Sequence, residues 1–198
     1  MLVHLYLFTI AFLLITALIF VRPILPALDQ LVYDINHDFL SDTHVSLMKQ
    51  VTHLGDGEVF VVICLVIVLY FIFRQQIKQS AICVICAAAL RLGNPFLKDF
   101  FSRERPVSTV SEATGFSYPS GHAANIAFLG LLIYSLLTPN LQQDFKTRLL
   151  ISFIIFLVGL SRISLEVHWC SDVLAGWCLG LILGLIHLHL QRKVEECD

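Results

Sequence analysis

Three short clusters stand out because their residue types and spacing suit phosphoryl transfer. Lys98 is followed after six residues by Arg105-Pro106, then comes Pro119-Ser120-Gly121-His122, and Ser161-Arg162 leads after five residues to His168 and, after three intervening residues, to Asp172. Lysine supplies a point charge, and each arginine a planar fork of donors that fits two oxygens of a phosphoryl group. Ser120 and Gly121 stand just ahead of an apolar run. At the start of a helix the first backbone N–H groups lack partners and the dipole favours an anion. Three cations and such donors around one anion would stabilise the charge on the equatorial oxygens of a phosphoryl-transfer transition state. His168 and Asp172 are at i and i+4, hence neighbours if the helix that holds Asp172 extends back to His168. A carboxylate on one ring nitrogen would fix the tautomer and leave the other nitrogen free to attack. His122, on another segment, is the candidate general acid for the leaving group and could later activate water.

The elements that must position these groups follow from composition. The chain has 198 residues, 57% hydrophobic and 14% charged, with a net charge of -2. An ordinary soluble domain has about 45–50% apolar and about 25% charged residues, so this chain has too little polar surface for a soluble enzyme. Its 15 phenylalanines and long aliphatic runs demand burial and exclude disorder. Scattered basic residues exclude the footprint of a nucleic-acid binder. A membrane helix needs roughly 20 apolar residues, so the chain has room for about six. The pattern predicts an all-α, integral membrane six-helix bundle forming one domain, with spans at about 2–21, 58–73, 77–97, 123–137, 149–163 and 172–190.

The first span is predicted to stop at Arg22-Pro23 and to be a retained anchor, because it lacks a basic leader and its apolar stretch is long for a signal peptide. Between the first and second spans, residues 26–39 carry Leu28, Leu31, Val32, Ile35 and Phe39 at helical spacing, which predicts a helix lying in the interface. A second short helix is expected from Ser41 or Asp42 to the turn Gly55-Asp56-Gly57.

With six spans, Arg74, Lys78, Lys146, Arg148, Arg192 and Lys193 fall on one side, which the bias of short loops makes cytoplasmic together with both termini. Lys98, Arg103, Arg105 and Arg162 then lie on the opposite side, against that bias, which marks them for function. Alternating span directions bring all three clusters to this outer face.

In order and spacing, these clusters resemble the three signature motifs of the type 2 phosphatidic acid phosphatase superfamily, with all eleven fixed positions matched. The resemblance implies a membrane lipid phosphatase that needs no metal or other cofactor. In it His168 would carry a phosphohistidine intermediate, Asp172 would support His168, and His122 would be the acid. Lys98, Arg105, Ser120, Gly121, His122 and Arg162 would surround the phosphate. The superfamily also includes soluble vanadium haloperoxidases, a branch that the hydrophobicity of this chain argues against. The expected partner is a lipid phosphate in a bacterial inner membrane, with the site facing the periplasm or exterior. Undecaprenyl diphosphate is the first expectation, with phosphatidylglycerol phosphate, phosphatidic acid and lipid A phosphates open. Rivals are a lipid phosphotransferase using the same residues and a non-catalytic lipid-phosphate binder or transporter.

Other residues have plainer readings. Arg103 either fits a family preference for a basic residue two before the Arg-Pro pair or faces solvent. Arg91, inside the third span, is expected to snorkel or to pair with Asp56 or Glu58. Asp34, His37, Asp38 and Asp42 are read as the wet face of the interfacial helix rather than as a metal set. Cys83 and Cys86 mimic a redox pair but lie among small apolar residues, which favours packing. Gly176, Gly180 and Gly184 recur every four residues and predict a close helix seam that starts beneath Asp172. His187 and His189 fall on different helix faces, and His4, His44 and His53 have no evident partner.

Overall fold

A computed structural model describes residues 2–21, 24–138 and 145–196; the predicted stop at Arg22-Pro23 and Cys197 lie outside the described residues. The helices are α1 (Leu2–Phe20), α2 (Leu25–Asp38), α3 (Asp42–Thr52), α4 (Gly57–Phe73), α5 (Ile77–Phe101), α6 (Gly121–Leu137), α7 (Phe145–Ser164) and α8 (Cys170–Glu195). A single 3-10 turn, His53–Gly55, carries α3 into α4. Ser41 caps α3 by accepting the His44 N–H at 3.3 Å.

Five segments are long and apolar enough to cross a membrane: α1, the continuous stretch Asp42–Phe73, α5, α7 and α8. The sixth apolar helix, α6, has 17 residues. Observed helices outrun the apolar runs that predict them. The helix α5 continues through Pro95 to Phe101 and α8 to Glu195, because polar residues can prolong a helix beyond the hydrocarbon without interrupting its hydrogen bonds.

The central element is α8, which packs on α6, α1 and α5. Its contact with α6 follows the predicted glycine seam. A Cβ at Gly176 would lie 2.9 Å from Ala123 Cβ and closer still to the Ser120 carbonyl; one at Gly180 would lie 2.9 Å from Ala127 Cβ and closer still to the Ala124 carbonyl. Gly184 instead faces the Leu131 side chain, whose Cδ2 would lie 2.9 Å from an added Cβ. Without side chains on α8 the two backbones touch, and the seam ends where Ser120 N–H donates to the Asp172 carbonyl at 3.0 Å. Two of the chemical clusters are thereby tied together by main chain.

A second core joins Phe60, Cys64 and Phe71 of α4, Cys83, Cys86 and Leu90 of α5, and Phe128 and Leu132 of α6. Cys83 and Cys86 are buried free thiols within it, as the packing reading expects. The C-terminal ends of α1, α5 and α7 and the N-terminal ends of α4, α6 and α8 share one end of the bundle. There Thr16 Oγ1 of α1 meets Tyr118 Oη at 2.6 Å. At the opposite end Arg74, Ser135 and Arg192 border one groove, and Leu2 and Lys193 another.

Candidate active site

The segment between α5 and α6 is held by the cations that the sequence singles out. Lys98 Nζ donates to the carbonyls of Phe116 (2.8 Å) and Ser117 (3.2 Å). Arg105 donates through Nε to Gly115 O at 2.9 Å, through Nη2 to Thr114 O and Phe116 O at 3.2 Å each, and through Nη1 to Val167 O at 2.5 Å. These groups therefore act as struts of the loop as well as sources of positive charge. The third cation, Arg162 in the last turn of α7, gives Nη1 to Thr52 Oγ1 at 2.6 Å.

His168 is 4% exposed, in the turn between α7 and α8. The helix starts at Cys170 and does not reach back to His168, so the i, i+4 geometry expected from sequence is not the source of the pairing. Instead Asp172 folds back over the start of α8, where its Oδ2 accepts Trp169 N–H at 2.9 Å and lies 3.4 Å from His168 Nδ1. On the other side of the ring, Arg105 Nη1 is 3.3 Å from Nε2. Guanidinium has donors only, so Nε2 presents its lone pair and the proton of a neutral ring sits on Nδ1, toward Asp172. Burial, then the positive charges of Lys98, Arg162 and Arg105, hold the His168 pKa well below the ordinary histidine value. The ring is thus neutral near pH 7, in the tautomer that leaves Nε2 free to attack.

His122, one residue into α6, places Nε2 2.8 Å from Asp56 Oδ1, and the other oxygen of Asp56 is 2.7 Å from His53 Nδ1. The partner of Asp56 is therefore not Arg91. Arg91 is exposed, its guanidinium lies where a Gly57 side chain would stand, and among the described residues it pairs with neither Asp56 nor Glu58. Ser120 is fully buried, and its Oγ, Arg162 Nε and Asn94 Nδ2 have no partner among the described residues. Gly121 sits against the Asn94 carboxamide, whose Oδ1 would be 3.2 Å from an added Cβ.

All eight residues expected to form the site stand at one end of the bundle. Lys98, Arg105, Arg162 and His122 are all within electrostatic reach of His168. Sequence reasoning missed their supports. Arg103, left open between a family preference and solvent, is 11% exposed and bonds Asp172 Oδ1 at 2.6 Å. Buried Glu166 receives His37 Nδ1 at 2.7 Å and Thr109 N–H at 3.0 Å. His37 is therefore not part of a purely wet face. Asp29, Tyr33, Asn36 and His37 form one stripe of α2 that grips the loops of the site and the end of α7, with Tyr33 Oη donating to Val107 O at 2.7 Å and Asn36 Nδ2 to Ile163 O at 3.4 Å. Their helical spacing was the available signal; it does not tell water from protein as the polar partner. Asp34 turns to Gln30, and Asp34, His37, Asp38 and Asp42 do not converge.

Comparison with known proteins adds independent findings. The model of the PAP2 superfamily matches residues 80–196. Phosphatidylglycerophosphatase B of Bacillus subtilis is 30% identical over 155 residues, covering 76% of this chain and 76% of the relative. An undecaprenyl-diphosphatase of Sulfolobus acidocaldarius is 28% identical over 141 residues, covering 65% of each chain. The crystal structure of a transmembrane PAP2-type phosphatidylglycerolphosphate phosphatase from Bacillus subtilis superposes with a TM-score of 0.85 at 26% identity, over 96% of each chain.

Proposed function

The chain belongs to the PAP2 superfamily and resembles its membrane lipid phosphatases, and from that premise we propose that it removes the terminal phosphate of a membrane lipid phosphate through His168. The observation that carries this reading is the setting of His168: lone pair on Nε2 beside Arg105, and Nδ1 facing Asp172. Nε2 attacks phosphorus, and the bond from phosphorus to the lipid oxygen breaks as His122, held in its charged form by Asp56 and the bound anion, gives that oxygen its proton. Asp172 stabilises the positive charge that the ring acquires. Water then attacks the phosphohistidine, losing its proton to His122, and His168 leaves as neutral imidazole. Lys98, Arg105 and Arg162, with Ser120 Oγ and the free N–H groups at Gly121 and His122, hold the equatorial oxygens.

The substrate is best assigned to phosphatidylglycerol phosphate, supported by the fold-wide likeness to the Bacillus subtilis enzyme. That likeness moves it ahead of undecaprenyl diphosphate, the first expectation from sequence, which the Sulfolobus relative keeps as the second reading. The chain is further assigned six crossings, with α6 as a short sixth. The site then faces the periplasm or exterior and both termini the cytoplasm, as the basic residues around Arg74 and Arg192 support.

Phosphate release by the purified protein in detergent, across phosphatidylglycerol phosphate, undecaprenyl diphosphate, phosphatidic acid and lipid A phosphates, tests the assignment. Phosphatidylglycerol phosphate should turn over fastest, with free phosphate as product. Phosphate appearing on a second lipid would mean a phosphotransferase, and no turnover of any lipid would refute the reading.

A further inference from the structure

The interfacial helix α2 supplies none of the residues assigned to the reaction, yet it buries a carboxylate behind the site. Asp29 is 3% exposed. Its Oδ1 accepts Ser171 N–H at 2.9 Å, and its Oδ2 accepts Ser171 Oγ at 2.5 Å and Arg103 Nη2 at 2.7 Å. The other terminal nitrogen of the same guanidinium, Nη1, donates to Ser171 Oγ at 2.7 Å and to Asp172 Oδ1 at 2.6 Å. One largely buried fork thus joins two buried carboxylates, one on α2 and one on the first turn of α8. The Trp169 ring flanks it, 5.7 Å from the guanidinium carbon.

This arrangement settles two properties of Asp172. The first is direction. With Oδ1 taken by Arg103 and Oδ2 by Trp169 N–H, the carboxylate cannot rotate, and Oδ2 stays on the His168 side. The second is charge. A guanidinium paired with Asp172 alone would neutralise much of the field that Asp172 exerts on His168. Shared with Asp29, the same guanidinium leaves the trio with one net negative charge. The other titratable or charged groups facing Asp172 are the neutral His168 ring, Tyr118 and Cys170 and, further off, the cations Lys98 and Arg105.

We propose that Asp29 is a positioning residue for the reaction: through Arg103 it fixes the orientation and preserves the negative charge of Asp172, so that docking of α2 is a condition for an active His168. The inference rests on the reading of His168 and Asp172 given above. A simple structural tie between α2 and α8 would also use these bonds, so the test must read more than stability.

Asp29→Asn keeps the size and an acceptor for Ser171 but removes the charge. In detergent, with the lipid phosphate that wild type hydrolyses fastest, kcat should fall about 10- to 100-fold with KM within about 3-fold, the range seen when a support behind a working group is removed. Arg103→Met leaves two buried carboxylates facing each other. One must then hold a proton at neutral pH, so the acidic limb of kcat should move up by about one pH unit or more. Adding Asp29→Asn to Arg103→Met removes the like charge and should move that limb back toward wild type. A structural tie predicts no such recovery. Arg103→Lys, which keeps the charge without the fork, serves as the milder variant should Arg103→Met not fold, and should lower kcat without moving the limb.

Wild-type kcat and pH profile in folded Asp29→Asn would overturn the proposal, as would a double variant whose limb stays with Arg103→Met. If His168→Ala still hydrolyses at full rate, the underlying reading fails. If His168→Ala is inactive and Asp29→Asn is normal, only the present inference fails.

Discussion

Replacing Gly176 by alanine tests how the seam between α6 and α8 sets the geometry of the site. The new Cβ would lie 2.9 Å from Ala123 Cβ and closer still to the Ser120 carbonyl. Carbon atoms in contact prefer about 3.5–4.0 Å, so the helices must part by roughly 1 Å. The obstacle is backbone and a Cβ, neither of which can swing aside. The displacement falls where Ser120 N–H meets the Asp172 carbonyl, at 3.0 Å, and therefore shifts Ser120, Gly121 and His122 relative to His168. Overpacking of this size costs about 1–3 kcal/mol, partly offset by about 1 kcal/mol from the better helix propensity of alanine. A displacement of about 1 Å at reacting groups lowers rates about 100-fold. Gly176→Ala should thus stay folded while kcat falls about 100-fold by the same estimate. Gly93→Ala is the internal control, because an added Cβ there meets nothing within 4 Å; it should leave kcat unchanged and raise stability by up to about 1 kcal/mol. The assay is phosphate release from a lipid phosphate in detergent, paired with thermal denaturation. Full activity in Gly176→Ala, or equal damage in both variants, would refute the reasoning. Gly180→Leu should push the same pair apart one turn deeper and also lower activity.

Asp56→Asn should lower kcat about 10-fold or more with little change in KM, because it removes the carboxylate that orients His122; steady-state kinetics check this. His37 has its pKa raised, first by the hydrogen bond to Glu166 and then by the charge of that residue. A raised folded-state value means that its contribution to stability is complete below the unfolded value of about 6.5 and is lost as pH climbs through the raised one. The Tm of wild type should accordingly fall across that rise more than that of His37→Gln, and parallel curves would reject the link. Chelators should leave phosphate release unchanged, while vanadate, which matches phosphate in charge and geometry, should inhibit it competitively.

The residues assigned to the phosphate site were legible because their signal is local: a fixed set of types at fixed intervals, beside runs long enough to become helices. The supports were not, because each acts across the chain. Asp29 reaches Arg103 and Ser171, Glu166 reaches His37, and Asp56 reaches His122, and no short window of sequence contains both partners. Asp56 was open to pairing with Arg91, and the fold instead turns it toward His122. The His168–Asp172 pair was anticipated from spacing, but its cause is the backbone N–H of Trp169 drawing Asp172 over the helix start, a feature of the turn rather than of periodicity. The stripe on α2 shows the same limit: amphipathic spacing identifies a polar face, and only the packed fold shows that this face lies on protein.

The central claim is that His168 carries the phosphoryl group. Acid-sensitive, base-stable labelling of the protein during rapid-quench turnover of a lipid phosphate radiolabelled at its terminal phosphorus tests it most directly. Wild type should show label on His168, and His168→Ala should show neither label nor phosphate release. Phosphate release from His168→Ala at the wild-type rate, or label that persists in that variant, would contradict the account.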